Sequence, residues 1–92
     1  MDAQLGQLVT SRAGRDAGQQ FIVIGHVGRR VLVADGRARS VKRPKQKNLR
    51  HLDLHQVWAD NIRQKLVDNA SVTDADIREA LERLQDGDEE VD

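Results

Sequence analysis

Between Arg29 and Arg50 the chain carries nine Lys or Arg side chains against one Asp. They are Arg29, Arg30, Arg37, Arg39, Lys42, Arg43, Lys45, Lys47 and Arg50. Fixed cations at this density do one kind of chemistry well: they hold phosphates. Each contact displaces condensed counterions, so the binding they support weakens with salt. Arg can also grip a phosphate bidentately, which Lys cannot. Two more arginines, Arg12 and Arg15, flank Gly14 in the segment RAGRDAG. A glycine there lets backbone N–H groups approach an anion closely. The plainer reading of Gly14 and Gly18 is that they supply positive φ for turns. A Walker-type nucleotide loop is excluded, since GxxxxGK[ST] does not occur. A charge run is also what a solvated face looks like, but this one is nearly single-signed.

Other chemistry is scarce. There is no cysteine, which excludes thiol catalysis, thiolate metal sites and disulfides. His51 and His55 are spaced to share one helical face, but zinc needs more ligands, HExxH is absent and Asp53 is a poor third donor. No metal or other cofactor is expected. Ser11, Ser40 and Ser71 lack a nucleophile-elbow context, and the paired carboxylates near the C-terminus read as an exposed helical face. The chain is therefore not expected to be an enzyme. Its aromatics are Phe21 and Trp58. Phe21 sits in an apolar strand and Trp58 on an apolar helical stripe, so both are expected to pack. Base stacking, which needs exposed aromatics, falls to His51 or His55 at best. Recognition of a nucleic acid should rest on phosphate and shape more than on base sequence.

The formal net charge is zero over 92 residues, but it is unevenly spread. Residues 1–55 carry +7 and residues 56–92 carry −7, histidines uncounted. This predicts a basic module joined to an acidic one, the basic part being the one to test with nucleic acid. Apolar residues make up 38%. A chain this short buries only about two-thirds of its unfolded surface, so its core must be small and mainly aliphatic. No apolar run exceeds four residues, as in Phe21 to Ile24. Secretion and membrane spanning are not expected, and the expected compartment is the cytoplasm.

The elements that would position the cations read as β first and α second. Strands are expected over Gln4–Ser11, Gln20–Gly25, Arg30–Ala34 and Ala38–Arg43, with a return at Asn48–Leu52. Consecutive apolar residues in QFIVIG call for cover on both faces. Asp35-Gly36 is a tight-turn dipeptide, expected to join RVLVA to the segment around Val41. Pro44 ends that segment, and PKQKN reads as a basic loop. Leu54, Val57, Trp58, Ile62 and Leu66 follow a helical period, broken at Asp68-Asn69. Thr73 is an N-cap candidate with Asp74 and Asp76 in the first turn. Ile77, Ala80, Leu81 and Leu84 make one stripe, stopped by Asp86-Gly87 and followed by an acidic tail. The stripe should pack on the rest of the chain or on a partner, because a lone helix of about a dozen residues is marginal in water.

Leu5-Gly6-Gln7-Leu8-Val9, then Gly14, Gly18 and Phe21-Ile22-Val23-Ile24, resembles the KOW motif: strand, glycine loop, strand within an SH3-like barrel. Val31 to Gly36 and Val41-Lys42-Arg43 are similar to the next strands of KOW-type large-subunit ribosomal proteins of archaea and eukaryotes. The stretch from Arg43 to Leu52 is similar to short KOW-domain RNA-binding proteins of Gram-positive bacteria, whose tail helix is matched by Thr73-Asp74 and Ile77 to Leu81. The resemblance implies a mainly β fold with α: an SH3-like barrel over residues 1–53 and one or two amphipathic helices over 54–92. It implies binding to RNA at the ribosome or on ribosomal RNA; the charge pattern makes Arg12, Arg15, Arg29, Arg30, Arg37, Arg39, Lys42, Arg43, Lys45 and Lys47 the candidates for its phosphate contacts. Some KOW domains bind proteins instead, so the alternative is a module that docks transcription or translation machinery, with the C-terminal helix as a possible protein contact.

Overall fold

The computed structural model describes residues 2–85. Five strands come first: β1 (Gln7–Ser11), β2 (Gln20–Val27), β3 (Arg30–Ala34), β4 (Lys45–Asn48) and β5 (Leu52–Trp58). A single 3₁₀ turn, Leu49–His51, separates the last two. Two helices follow, α1 (Asp60–Val67) and α2 (Asp74–Gln85). The strands make one antiparallel sheet in the order β4-β3-β2-β1-β5, so β4 and β5 are its edges. The molecule is mainly β with α. Among the described residues no helix is long and apolar enough to cross a membrane.

Strand alternation gives the sheet two apolar faces, because successive side chains point opposite ways. One face carries Val9, Phe21, Val23, Val31, Val33 and Leu52, all 5% exposed or less, with Leu49 and Leu54 packed on them. The other carries Leu8 and Ile22 and is covered by Ile62 of α1 and Ile77, Ala80 and Leu81 of α2. Each large aliphatic or aromatic side chain so buried contributes about 1.5–3 kcal/mol. The first face has no helix over it; the sheet bends around it. β1 and β4 are separated by two strands, yet Lys47 on β4 reaches the loop that follows β1. Bulges between Val23 and Gly25 on β2, and between Gln7 and Val9 against β5, supply the bend.

The α2 stripe packs at home. Its N-terminus is a reciprocal cap: Thr73 Oγ1 accepts from the Asp76 N–H at 3.1 Å, and Asp76 Oδ2 accepts from the Thr73 N–H at 3.0 Å. The Asp76 carboxyl lies below its usual range, held there by the Thr73 N–H and by Lys65 against the opposing effect of burial. The Lys65 ammonium also ties α1 to α2 through that carboxylate, at 3.0 Å. Gly36 lies beneath the start of α2. Its φ is +76°, and a Cβ there would come within 2.5 Å of the Asp74 carbonyl oxygen. The Arg78 guanidinium donates to the Gly36 carbonyl at 2.7 Å.

Three expectations are corrected. Asp35-Gly36 does not close a two-residue hairpin; both N–H groups donate to the Arg39 carbonyl and open a longer connection, residues 35–44. The partner of β3 is consequently Lys45–Asn48, part of the segment read as a basic loop, and Ala38–Arg43 is not a strand. Leu54, Val57 and Trp58 are strand rather than helix, so β5 runs through the expected boundary at 53/54 and helix begins only at Asp60. Asp86-Gly87 and the acidic tail lie outside the described residues. Gly36→Val should cost at least about 2 kcal/mol, since a β-branched residue at positive φ is strained before any clash with Asp74. Thermal melts of the variant check it, and an unchanged melting temperature would refute the close approach.

Candidate nucleic-acid interface

The loop between β1 and β2 is built around Asp16. Ser11 Oγ donates to Asp16 Oδ1 at 2.7 Å. The turn is drawn tight by backbone bonds from Gly18 N–H to the Ser11 carbonyl (2.8 Å) and from Gln19 N–H to the Asp16 carbonyl (2.9 Å). Gly14 and Gly18 both take positive φ, +87° and +90°, which answers to the plain reading of them as turn residues. Two lysines of β4 complete the arrangement. Lys47 lies opposite Val31 in the register, so its side chain enters the apolar curl and is only 7% exposed. Its ammonium donates to Asp16 Oδ1 and to the Ala13 carbonyl, both at 3.1 Å. Lys45 Nζ stands 3.3 Å from Asp16 Oδ2. Burial alone would push the Asp16 carboxyl up. Hydrogen bonds from Ser11, Lys47 and Lys45, with the charge of Lys47, outweigh that and hold it down at about 2.

This knot joins the β1–β2 loop to β4, and beside it a cleft of about 240 Å³ opens between that loop and the 35–44 connection. Arg15, Arg39 and Lys45 line it, with Asp16 and Gln19, and Phe21 forms its floor. Asp35 shapes the opposite wall: its Oδ1 accepts from the N–H groups of Arg37 and Arg39, both at 2.9 Å. Arg37 faces a neighbouring groove between Gly18–Gln20 and α2, whose other wall carries Asp76, Glu79 and Glu82. That wall also carries Arg78, bonded to the Gly36 carbonyl, so the cations of the cleft end against a helix face with three carboxylates and one guanidinium.

The remaining candidates stand elsewhere. Lys47 is turned inward and committed to Asp16, so it offers no free ammonium at the surface. Arg12 is exposed and pairs with Asp53 at 3.5 Å. Arg29 and Arg30 sit at the β2–β3 turn, separated from Gln20 by the eight residues of β2, roughly 25 Å along the strand. Lys42 and Arg43 are exposed on the connection but do not line the cleft. His51 lies in the 3₁₀ turn and His55 on β5, so the shared helical face does not arise; His55 Nε2 is 2.7 Å from Thr10 Oγ1. Phe21 is fully buried, as expected. Trp58 packs half-buried from the end of β5, not from a helix. Sequence reasoning missed Asp16. The available signal was its isolation: it is the one acid between Asp2 and Asp35.

No family model matches the chain, and no curated protein matches it significantly.

Asp16→Asn leaves the Lys47 ammonium buried without its counter-charge and should destabilise the fold by on the order of 3 kcal/mol. Because the folded-state carboxyl sits at about 2, below its unfolded value of about 3.9, the charged pair stabilises above that value. The contribution is lost as pH falls from about 4 toward 2. Urea denaturation of both proteins across that interval should show their stability difference shrinking with acid. A constant difference would refute the role of the ion pair.

Proposed function

We propose that the chain is a KOW-class RNA-binding protein, its bent sheet the SH3-like barrel of that class, acting in the cytoplasm on ribosomal RNA or the ribosome. The observation that carries the reading is the cleft between the two loops, where Arg15, Arg39 and Lys45 converge at a single opening. The backbone turns bring these residues to one opening without a ligand, which lowers the backbone ordering cost of binding. Arg37 and Arg12 extend the cationic surface on either side of the cleft. Neither aromatic is free to stack, since Phe21 is fully buried and Trp58 packs in the β5 end. The favoured ligand is consequently folded RNA held by its phosphates and shape. The acidic wall of α2 sets one limit of the footprint by repelling phosphates that stray toward it.

The test is a salt titration of affinity for a structured ribosomal RNA fragment. Log Kd should change linearly with log salt, with a slope of about 0.7–0.9 per phosphate contact if values for single strands and B-DNA carry over. Arg15→Ala/Arg39→Ala should weaken binding to all RNA sequences alike and reduce the slope by about 1.4–1.8. Salt-independent affinity, or an unchanged slope in the double variant, would contradict the reading.

A further inference from the structure

A second depression lies where the helix-covered core meets solvent. Ile24, Leu32, Val41, Pro44, Leu66 and Val72 line an open groove of about 310 Å³, with Ala70 completing it. Ile24, Val41, Leu66 and Val72 are the fringe of the core under α1 and α2. Leu32 alternates along β3 with Val31 and Val33, which face the curl, so it projects outward toward this groove. All seven lining residues are apolar, and Ala70 is exposed. The lining side chains give a phosphate nothing to bond to.

The rim has a different character. Lys42 and Arg43 stand between the lining residues Val41 and Pro44, and both are exposed. Arg30 is two residues from Leu32 on β3, hence on the same face, and is also exposed. None of these three cations has an ion-pair partner among the described residues; the nearby carboxylates Asp74 and Asp68 keep their charge but are bonded to the Val41 N–H at 2.8 Å and to Gln64 at 3.0 Å. An apolar floor under a rim of three cations without ion-pair partners is complementary to an apolar side chain flanked by carboxylates.

We infer that this groove docks a short acidic segment of a partner protein, anchored by one or two large aliphatic or aromatic side chains. Its volume is at the low end of ligand sites, about 300–1,000 Å³, which suits a peptide anchor rather than a broad interface. Lys42, Arg43 and Arg30 then serve a protein partner, while Arg15 and Arg39 serve the cleft. The two surfaces are separate, so this docking stands whether or not the cleft binds RNA.

Phage-displayed random dodecapeptides, selected on the full chain and counter-selected on Ala70→Glu, test it. Ala70 is exposed, so the variant should keep the wild-type melting temperature; Lys42→Glu/Arg43→Glu, also on exposed positions, is the second control. Enriched peptides should share a Leu, Ile, Phe or Trp between acidic residues. A synthetic peptide of that consensus should shift the Leu32 and Val72 methyl resonances and bind each variant at least tenfold more weakly. Selection without such a consensus, or equal binding to Ala70→Glu, would overturn the proposal. So would movement of the same methyls on adding a structured RNA oligonucleotide, which would make the groove part of an RNA surface. A wild-type dimer in sedimentation that Ala70→Glu abolishes would assign it instead to a second copy of the chain.

Discussion

The Asp16 carboxylate is the constraint on which the basic surface depends. It accepts from Ser11 at the end of β1 and from Lys47 on β4, and pairs with Lys45 of the same strand, joining two strands that the sheet order keeps apart. A bent sheet with an apolar interior needs something to fix the approach of its edge to its opposite end. Here a buried ammonium and a nearly buried carboxylate do so. Such a pair adds little net stability compared with apolar packing, but it is costly to break from one side, and its geometry is directional. That directionality fixes the Arg15 loop against β4, and the turn around Asp35 brings Arg39 to the same opening.

The helices depend on the same sheet in another way. β2 is buried on both faces, with Phe21 and Val23 toward the curl and Ile22 toward α1 and α2. Removing the helices would expose Leu8 and Ile22 together, so the acidic half of the chain is part of the fold and not an addition to it. Gly36 shows how closely the halves fit, since even one methyl there meets the α2 backbone. The charge asymmetry in the sequence thus becomes a spatial boundary, with cations in the loops and carboxylates on the adjoining helix. At zero net charge, and with screening over about 8 Å in physiological salt, long-range attraction to RNA is weak and contact geometry decides.

What was legible in the sequence follows from this physics. The double burial of β2 shows in QFIVIG because a strand covered on both sides has no polar alternate positions. Thr73 and the α2 stripe are legible because capping and helical period are local signals. KQKN was not legible as a strand, since it has no apolar residue; β3 offers it an edge and Asp16 makes an inward lysine tolerable. Leu54, Val57 and Trp58 read as helix because the register shift opposite Gln7 and Val9 breaks the alternation of β5. Two extra strand residues convert a period of two into a spacing that mimics 3.6. At the site, Arg15, Arg39 and Lys45 were in the sequence-derived set. Which of its ten members share a cleft depends on the sheet's bend, a long-range property that no local spacing carries.

The most direct test of the account is to map a structured ribosomal RNA fragment onto the isotope-labelled full chain by NMR, following backbone amides and arginine side chains together. The account predicts perturbations confined to the β1–β2 loop and the 35–44 connection, strongest at Arg15 and Arg39, with the outer face of α2 unmoved. Perturbations centred on α2 or on the β2–β3 turn, with Arg15 and Arg39 silent, would contradict it.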